Sequence, residues 1–295
     1  MNVNSGTLVR IRGLWFYFFL KLSFLASAFS EISAIRLFHY LKLLPYRPRF
    51  CTKDVVQIVV KDNLVLTHLE SASSPEHVIK AYESLFSLLE EDAVVIDVGA
   101  HIGVFSVASA KRLKKGLVIS FEPNPDIYNI LKCNVYLNEL SNIITLNIAL
   151  ADFCGKAGLV VPKDPSGGYL ASNVYDTRTF DVQVRTLDAV CLERGIERVD
   201  FIKIHAEGPE IAILKGARNI LVNNNLYLVI SSSRLRNSDL RREICKYLLD
   251  IGFKTIIIDS SSHPILCALK GKNRLDWTGI VGYIDRTRVK MEEGN

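Results

Sequence analysis

Apolar and polar positions fall along this chain in blocks that read as strand, turn and helix in regular succession. Val94 to Val98 is apolar except for Asp97, short and β-branched, the pattern of a parallel strand buried on both faces. Gly99 and Gly103 follow, and then Phe105, Val107, Ala108, Ala110 and Leu113 recur at helical spacing. The unit repeats as a strand from Leu117 to Phe121, a helix from Pro125 to Leu140 and a strand from Ile143 to Ile148. Later, Val182 to Thr186 predicts a strand, Leu187 to Arg194 a short helix closed by Gly195, Val199 to Ile204 a strand, and Pro209 to Leu221 a helix. Leu226 to Ile230, Ser238 to Ile251, Phe253 to Ile258 and Gly279 to Ile284 extend the series as strand, helix, strand and strand.

Upstream, Val55 to Val60 and Leu64 to Leu66 flank a polar turn and predict a β-hairpin. A helix starting at Ser74-Pro75 runs to Glu90 with one apolar face. Residues 153–181, rich in Gly and Pro, predict loops and short strands, and a loop of that length inside a domain is often functional. The expected architecture is an α/β, doubly wound sheet over residues 93–295, preceded by a hairpin and helix at 51–92 and a helical extension at 1–50.

The glycine turn carries the first chemical lead. Its spacing is Asp97-x-Gly99-x-x-x-Gly103, without the middle glycine that admits a pyrophosphate and without the Gly-Lys-Ser/Thr of a phosphate loop. An acid before the turn repels phosphate and attracts a cationic amine. That points to a zwitterionic cofactor with an amino-acid end, S-adenosylmethionine; an ordinary strand–turn–helix without ligand is the alternative. Glu122 ends the next strand, 23 residues after Gly99, where doubly wound folds carry the acid that grips ribose hydroxyls. His205 and Glu207 follow the strand at 199–204, and the carboxyl ends of parallel strands face the ligand crevice. Together with Lys203 they are the candidate catalytic residues, with a satisfied structural histidine as the competing reading of His205. Tyr128-x-x-x-Lys132 matches a dehydrogenase pair but comes too early in the chain for that role, and reads as an ordinary helix face.

Composition narrows the classes. The net charge is +5, and residues 1–50 hold seven Lys/Arg against one acid, so the rest of the chain is nearly neutral. That balance argues against a dedicated nucleic-acid binder. The six cysteines form no Cys-x-x-Cys and suggest reduced thiols rather than a zinc site or disulfide framework; no metal site is expected. Residues 14–29 are apolar and aromatic but carry Lys21 at their centre. A signal peptide, a membrane span, a helix lying on a membrane surface and a helical cap on the domain all compete there. The expected location is cytoplasmic, with peripheral membrane contact through residues 1–50 left open.

Taken in order, these stretches carry a resemblance. Ile96-Asp97-Val98-Gly99-Ala100-His101-Ile102-Gly103, Phe121-Glu122-Pro123-Asn124, Asn147-Ile148-Ala149-Leu150-Ala151-Asp152, Thr186-Leu187-Asp188 and Ile202-Lys203-Ile204-His205-Ala206-Glu207-Gly208-Pro209-Glu210 are similar to the FkbM family of S-adenosylmethionine-dependent methyltransferases. The resemblance implies the class I methyltransferase, Rossmann-like sheet with an antiparallel last strand. It implies that Asp97, Gly99, Ala100, His101 and Gly103 hold the methionine part, Glu122 with Pro123 the ribose, and Asn147, Ala149 and Asp152 the adenine. It also implies O-methylation of a sugar, glycan or lipid-linked acceptor, a small-molecule or glycan partner rather than nucleic acid. Two departures stand out: His205 replaces the family's Asp, and Val229-Ile230-Ser231-Ser232-Ser233 lacks the family's Glu. They motivate the rival expectation of a non-catalytic relative that keeps the cofactor site.

Overall fold

Four apolar residues in a five-residue run, Val94, Val95, Ile96 and Val98, can all be buried only inside a sheet covered on both faces. The computed structural model, which describes residues 56–61, 64–69, 85–162, 177–258, 264–271 and 291–293, puts this run in the interior of an eight-stranded sheet. In chain order the elements are β1 (Val56–Lys61), β2 (Leu64–Leu69), β3 (Val94–Val98), α1 (Val104–Arg112), β4 (Leu117–Phe121), α2 (Pro125–Leu137) and β5 (Ile143–Leu146). Then come β6 (Ala149–Leu150), β7 (Gly155–Pro162), β8 (Thr177–Arg185), α3 (Leu187–Glu193), β9 (Phe201–Ile204), α4 (Glu210–Lys215) and α5 (Arg218–Asn223). The described chain ends with β10 (Tyr227–Ser231), α6 (Ser238–Asp250), β11 (Lys254–Ile258), β12 (Ile265–Leu269) and β13 (Met291–Glu293).

The large sheet has the order β13-β11-β12-β10-β9-β3-β4-β5. β3, β4, β5, β9 and β10 are mutually parallel, while β12 runs antiparallel to both its neighbours. The chain first winds outward from β3 to β5, then returns to β9 on the other side of β3. The switch point therefore lies between β3 and β9, and the crevice that opens at their carboxyl ends is where such sheets bind ligands. This is the class I methyltransferase topology, with its antiparallel strand.

Side-chain alternation sorts the core into two layers. Val95 and Phe201 pack with Phe105, Val107, Ala108 and Ile130 of α1 and α2 on one face. Ile96, Val98, Ile202 and Ile204 pack with α3, α4, α5 and α6 on the other. The hairpin β1–β2 forms as the alternation predicts.

Three elements differ from the sequence expectation. The helix from Pro209 to Leu221 is two helices, α4 and α5, broken at Gly216. A Cβ on Gly216 would stand 2.0 Å from the Ala151 carbonyl oxygen, so the backbone just after β6 occupies the space where a side chain would lie. Residues 155–162 and 177–185 form long antiparallel arms, β7 and β8, in a separate three-stranded sheet with β6. β12 was not expected at all, whereas the strand proposed at 279–284 lies outside the described residues, as do residues 1–50. Among the described residues no helix is long and apolar enough to cross a membrane.

The break at Gly216 leaves the first N–H groups of α5 to be satisfied from elsewhere. Asp188 of α3 supplies the acceptors, taking the Asn219 N–H at 2.8 Å and the Ile220 N–H at 3.0 Å. Asp188→Ala should lower stability by about 0.5–2 kcal/mol, the range for loss of a helix cap. Urea denaturation with an unchanged slope would check it.

Candidate active site

The end of β3 is built over a buried polar cluster. Asp97 and Lys203 are register partners in β3 and β9, and both side chains are almost fully enclosed. Lys203 Nζ stands 2.8 Å from Asp97 Oδ1 and donates to the Gly99 carbonyl oxygen at 3.0 Å. Ser106 of α1 donates to Asp97 Oδ2 at 2.5 Å, and Ser120 of β4 donates to Ser106 Oγ at 2.7 Å. Asp97 was expected to face a cofactor amine, and Lys203 to be catalytic. The structure puts both beneath the turn, where each neutralises the other, because the register of β3 and β9 sets them side by side in the low-dielectric interior.

Above this cluster the turn is tied to β4. Gly99 and Ala100 both donate their N–H to the Phe121 carbonyl, at 3.0 and 2.9 Å, and the His101 N–H reaches Glu122 Oε2 at 2.8 Å. Three successive N–H groups are thus spent inside the protein, which leaves no phosphate cradle of the kind a dinucleotide fold offers. Gly99 has φ +71° and an added Cβ would fall 2.0 Å from the His205 carbonyl oxygen, so only glycine fits where the turn meets the end of β9. His101 holds the left-handed conformation without being glycine, and Gly103 does so just before α1.

Glu122 ends β4 with its carboxylate buried, accepting from His101 and, at 2.9 Å, from the Asn124 N–H. Burial pushes this carboxyl up to about 7, although the Asn124 and His101 N–H groups pull the other way. Asn147 donates to the carbonyls of Glu122 and Pro123 at 2.7 and 3.0 Å, so it locks the ends of β4 and β5 together. Ala149 lies in β6. Asp152 is exposed, and its backbone packs beside Gly216 at the end of α4, because the missing side chain there admits the backbone of Ala151 and Asp152.

The loop after β9 carries the second cluster. The His205 N–H extends the ladder to Val98, and its Nε2 lies 3.3 Å from Glu207 Oε1. Glu207, at φ +54°, is gripped from the 3₁₀ turn that follows β10: Ser233 donates its hydroxyl to Oε2 at 2.5 Å and its N–H to both carboxylate oxygens at 3.2 and 3.3 Å. Burial raises the Glu207 pKa, but His205 and the two Ser233 donors outweigh it and bring the carboxyl down to about 2. Glu207 is therefore a fixed anion rather than a proton acceptor near neutral pH, and the imidazole beside it is the group suited to take a proton.

Sequence reasoning missed Ser106, Ser120, Ser233 and Glu210 as members of these clusters. Glu210 is fully buried and accepts the Gly208 N–H at 3.0 Å, which fixes the loop leading into α4. A buried acid two residues after a glycine, and a serine run at the end of an apolar strand, were the available signals. Among the described residues no group of three or more His, Cys, Asp or Glu side chains is placed to hold a metal ion.

The model of the methyltransferase FkbM domain matches residues 97–255, more than half of the chain. The chain belongs to the FkbM methyltransferase family. Its relatives include methyltransferase sdnD of Sordaria araneosa, 28% identical over 43% of this chain and 61% of that protein. The 2-O-methyltransferase NoeI of Sinorhizobium fredii is 24% identical over 58% of this chain and 77% of that protein. The hexuronic acid methyltransferase AglP of Haloferax volcanii is 26% identical over 48% and 56%. The chain spans less than two thirds of the length of most of the curated relatives it matches. A tRNA (guanine(37)-N(1))-methyltransferase of Plasmodium vivax is also similar, 33% identical over 31% of this chain and 12% of that protein. Near-neutral charge outside residues 1–50 is therefore no ground for excluding a nucleic-acid acceptor.

In this member of the FkbM family the Tyr128–Lys132 pair is a helix-face contact, with Lys132 Nζ 5.3 Å from the Tyr128 ring and the Tyr128 hydroxyl donating to the Thr145 carbonyl. The Asp97–Lys203 pair has a larger structural role. Lys203→Met should destabilise the protein by about 3–5 kcal/mol, because it leaves Asp97 buried without its counter-charge. The double variant Asp97→Asn, Lys203→Met should recover part of that loss in the same denaturation experiment.

Proposed function

We propose that this chain is an S-adenosylmethionine-dependent O-methyltransferase whose acceptor is a hydroxyl on a sugar, glycan or lipid-linked molecule. The observation that carries this reading is His205, backed by the clamped Glu207 carboxylate, directly beside the glycine turn at the switch point of the sheet. The names of NoeI and AglP support oxygen as the acceptor atom and a sugar acid as one acceptor of the family.

The residues present fit the cofactor. Glu122 offers a carboxylate at the carboxyl end of the strand beside the turn, and each of its oxygens, already holding one N–H, keeps a second lone pair for a ribose hydroxyl. The turn is neutral overall, since Lys203 cancels Asp97, and so suits a zwitterion better than a phosphate. S-adenosylmethionine, when bound, supplies a methyl group on a positively charged sulfur. His205 takes the proton of the acceptor hydroxyl and makes its oxygen a nucleophile. Glu207 holds the imidazole in place with one oxygen and stabilises the imidazolium that forms, while Ser233 holds Glu207. Positioning of donor and acceptor accounts for the rest of the acceleration.

His205→Ala should reduce methyl transfer by about 10²–10⁴-fold, the usual contribution of a positioned base, with calorimetric cofactor affinity unchanged. Binding of S-adenosylmethionine without transfer to any acceptor would favour the non-catalytic reading that the departures at residues 205 and 231–233 suggest. Cofactor affinity should itself depend on pH. The ionised Glu122 accepts from hydroxyls, and burial sets its pKa at about 7. Below that value its proton must be lost on binding, so affinity should rise with pH up to about 7 and level off above. In Glu122→Gln the calorimetric profile should be weaker and flat.

A further inference from the structure

β10 runs directly into a 3₁₀ turn, Ser233–Arg236, whose first residue grips Glu207. This turn is fixed from several sides. Leu235 is fully buried, Ser232 Oγ accepts the Arg234 N–H at 3.2 Å, and the Arg234 carbonyl accepts the Asn237 N–H at 2.9 Å. Arg234 itself is exposed, and among the described residues its guanidinium has no hydrogen-bond or ion-pair partner. Ser231 to Arg242 contains four arginines and a single acid, Asp239, which Arg242 contacts at 3.2 Å. The charged groups on the β9 side of the crevice are already committed: Asp97 to Lys203, and Glu207 to His205 and Ser233. An uncompensated cation on a rigid backbone therefore stands one residue from the group that holds the candidate base's carboxylate. A guanidinium offers a fixed fork of donors suited to a carboxylate or phosphate, and the methyl donor adds further positive charge at the same end of the sheet.

We infer that Arg234 is a specificity residue that pairs with an anionic group, a carboxylate or phosphate, on the acceptor. The inference rests on the methyl-transfer reading of this site and adds the charge of the molecule that receives the methyl group. The test compares glucose, glucuronate and glucose 1-phosphate as probes for binding to the full chain with S-adenosylhomocysteine present, by saturation-transfer NMR. One or both anionic probes should bind about tenfold tighter than glucose or better, as expected for a charge-assisted pair. The stronger of the two identifies the anion as carboxylate or phosphate. Arg234→Gln should erase the preference, Arg234→Lys should keep part of it, and Arg242→Gln should leave it intact. Equal binding of all three probes, no binding of any, or a preference that survives Arg234→Gln overturns the assignment. A charge preference that depends on Arg234, without methyl transfer to any acceptor, would instead count against the methyltransferase reading.

Discussion

The buried pair of Asp97 and Lys203 is the constraint on which the site depends. Taking both charges out of water costs several kcal/mol each, and a cost of that size is tolerated only where the remaining polar groups are satisfied. Here Ser106, Ser120 and the Gly99 carbonyl complete the set. The pair is also a register lock. Lys203 opposes Asp97 across the one boundary of the sheet where the chain reverses its winding, so the two halves of the doubly wound fold are joined at their most consequential point. Slipping β9 by one residue against β3 would bury an unpaired charge on each face.

From that pair the geometry of both clusters follows. Lys203 draws on the Gly99 carbonyl, Gly99 sits against the His205 carbonyl, and the His205 N–H bonds Val98. The turn that would hold the cofactor and the histidine proposed as base are therefore positioned by one another, with no flexible segment between them. Glu122 and Asn147 play the same part on the other side, tying the ends of β4 and β5 to the turn. Two carboxylates at the rim of one crevice are consequently driven in opposite directions. Burial with only N–H partners raises Glu122, and a histidine with a serine hydroxyl and N–H lowers Glu207.

Several elements were legible because their signal is local. The runs at 94–98, 117–121 and 201–204 are apolar but for one residue each, Asp97, Ser120 and Lys203, which is the pattern of a strand buried on both faces. β7 was not legible: Gly155, Lys156 and Gly158 are poor strand formers, and only pairing along β8 makes that segment extended. β12 escaped for a related reason. Its Cys267 and Ala268 give little strand signal, and its place is decided by the gap between β10 and β11 that it fills. The helix that splits at Gly216 carries an unbroken helical pattern, and what leaves no room for a side chain at the break is a backbone more than sixty residues earlier in the chain.

The amino-acid sequence by itself determined the parallel strands β3, β4, β5, β9 and β10, the glycine turn after β3, the acid that follows β4 and the polar loop that ends β9, because each is written within about ten consecutive residues. Only the tertiary structure decided what those residues do. Lys203 and Asp97 are 106 positions apart, and Ser233 is 26 from Glu207, so nothing local reveals that the lysine neutralises the aspartate or that the serine clamps the glutamate. The role of a charged side chain is set by its neighbours and by its access to water, and both come into being only when distant strands lie side by side.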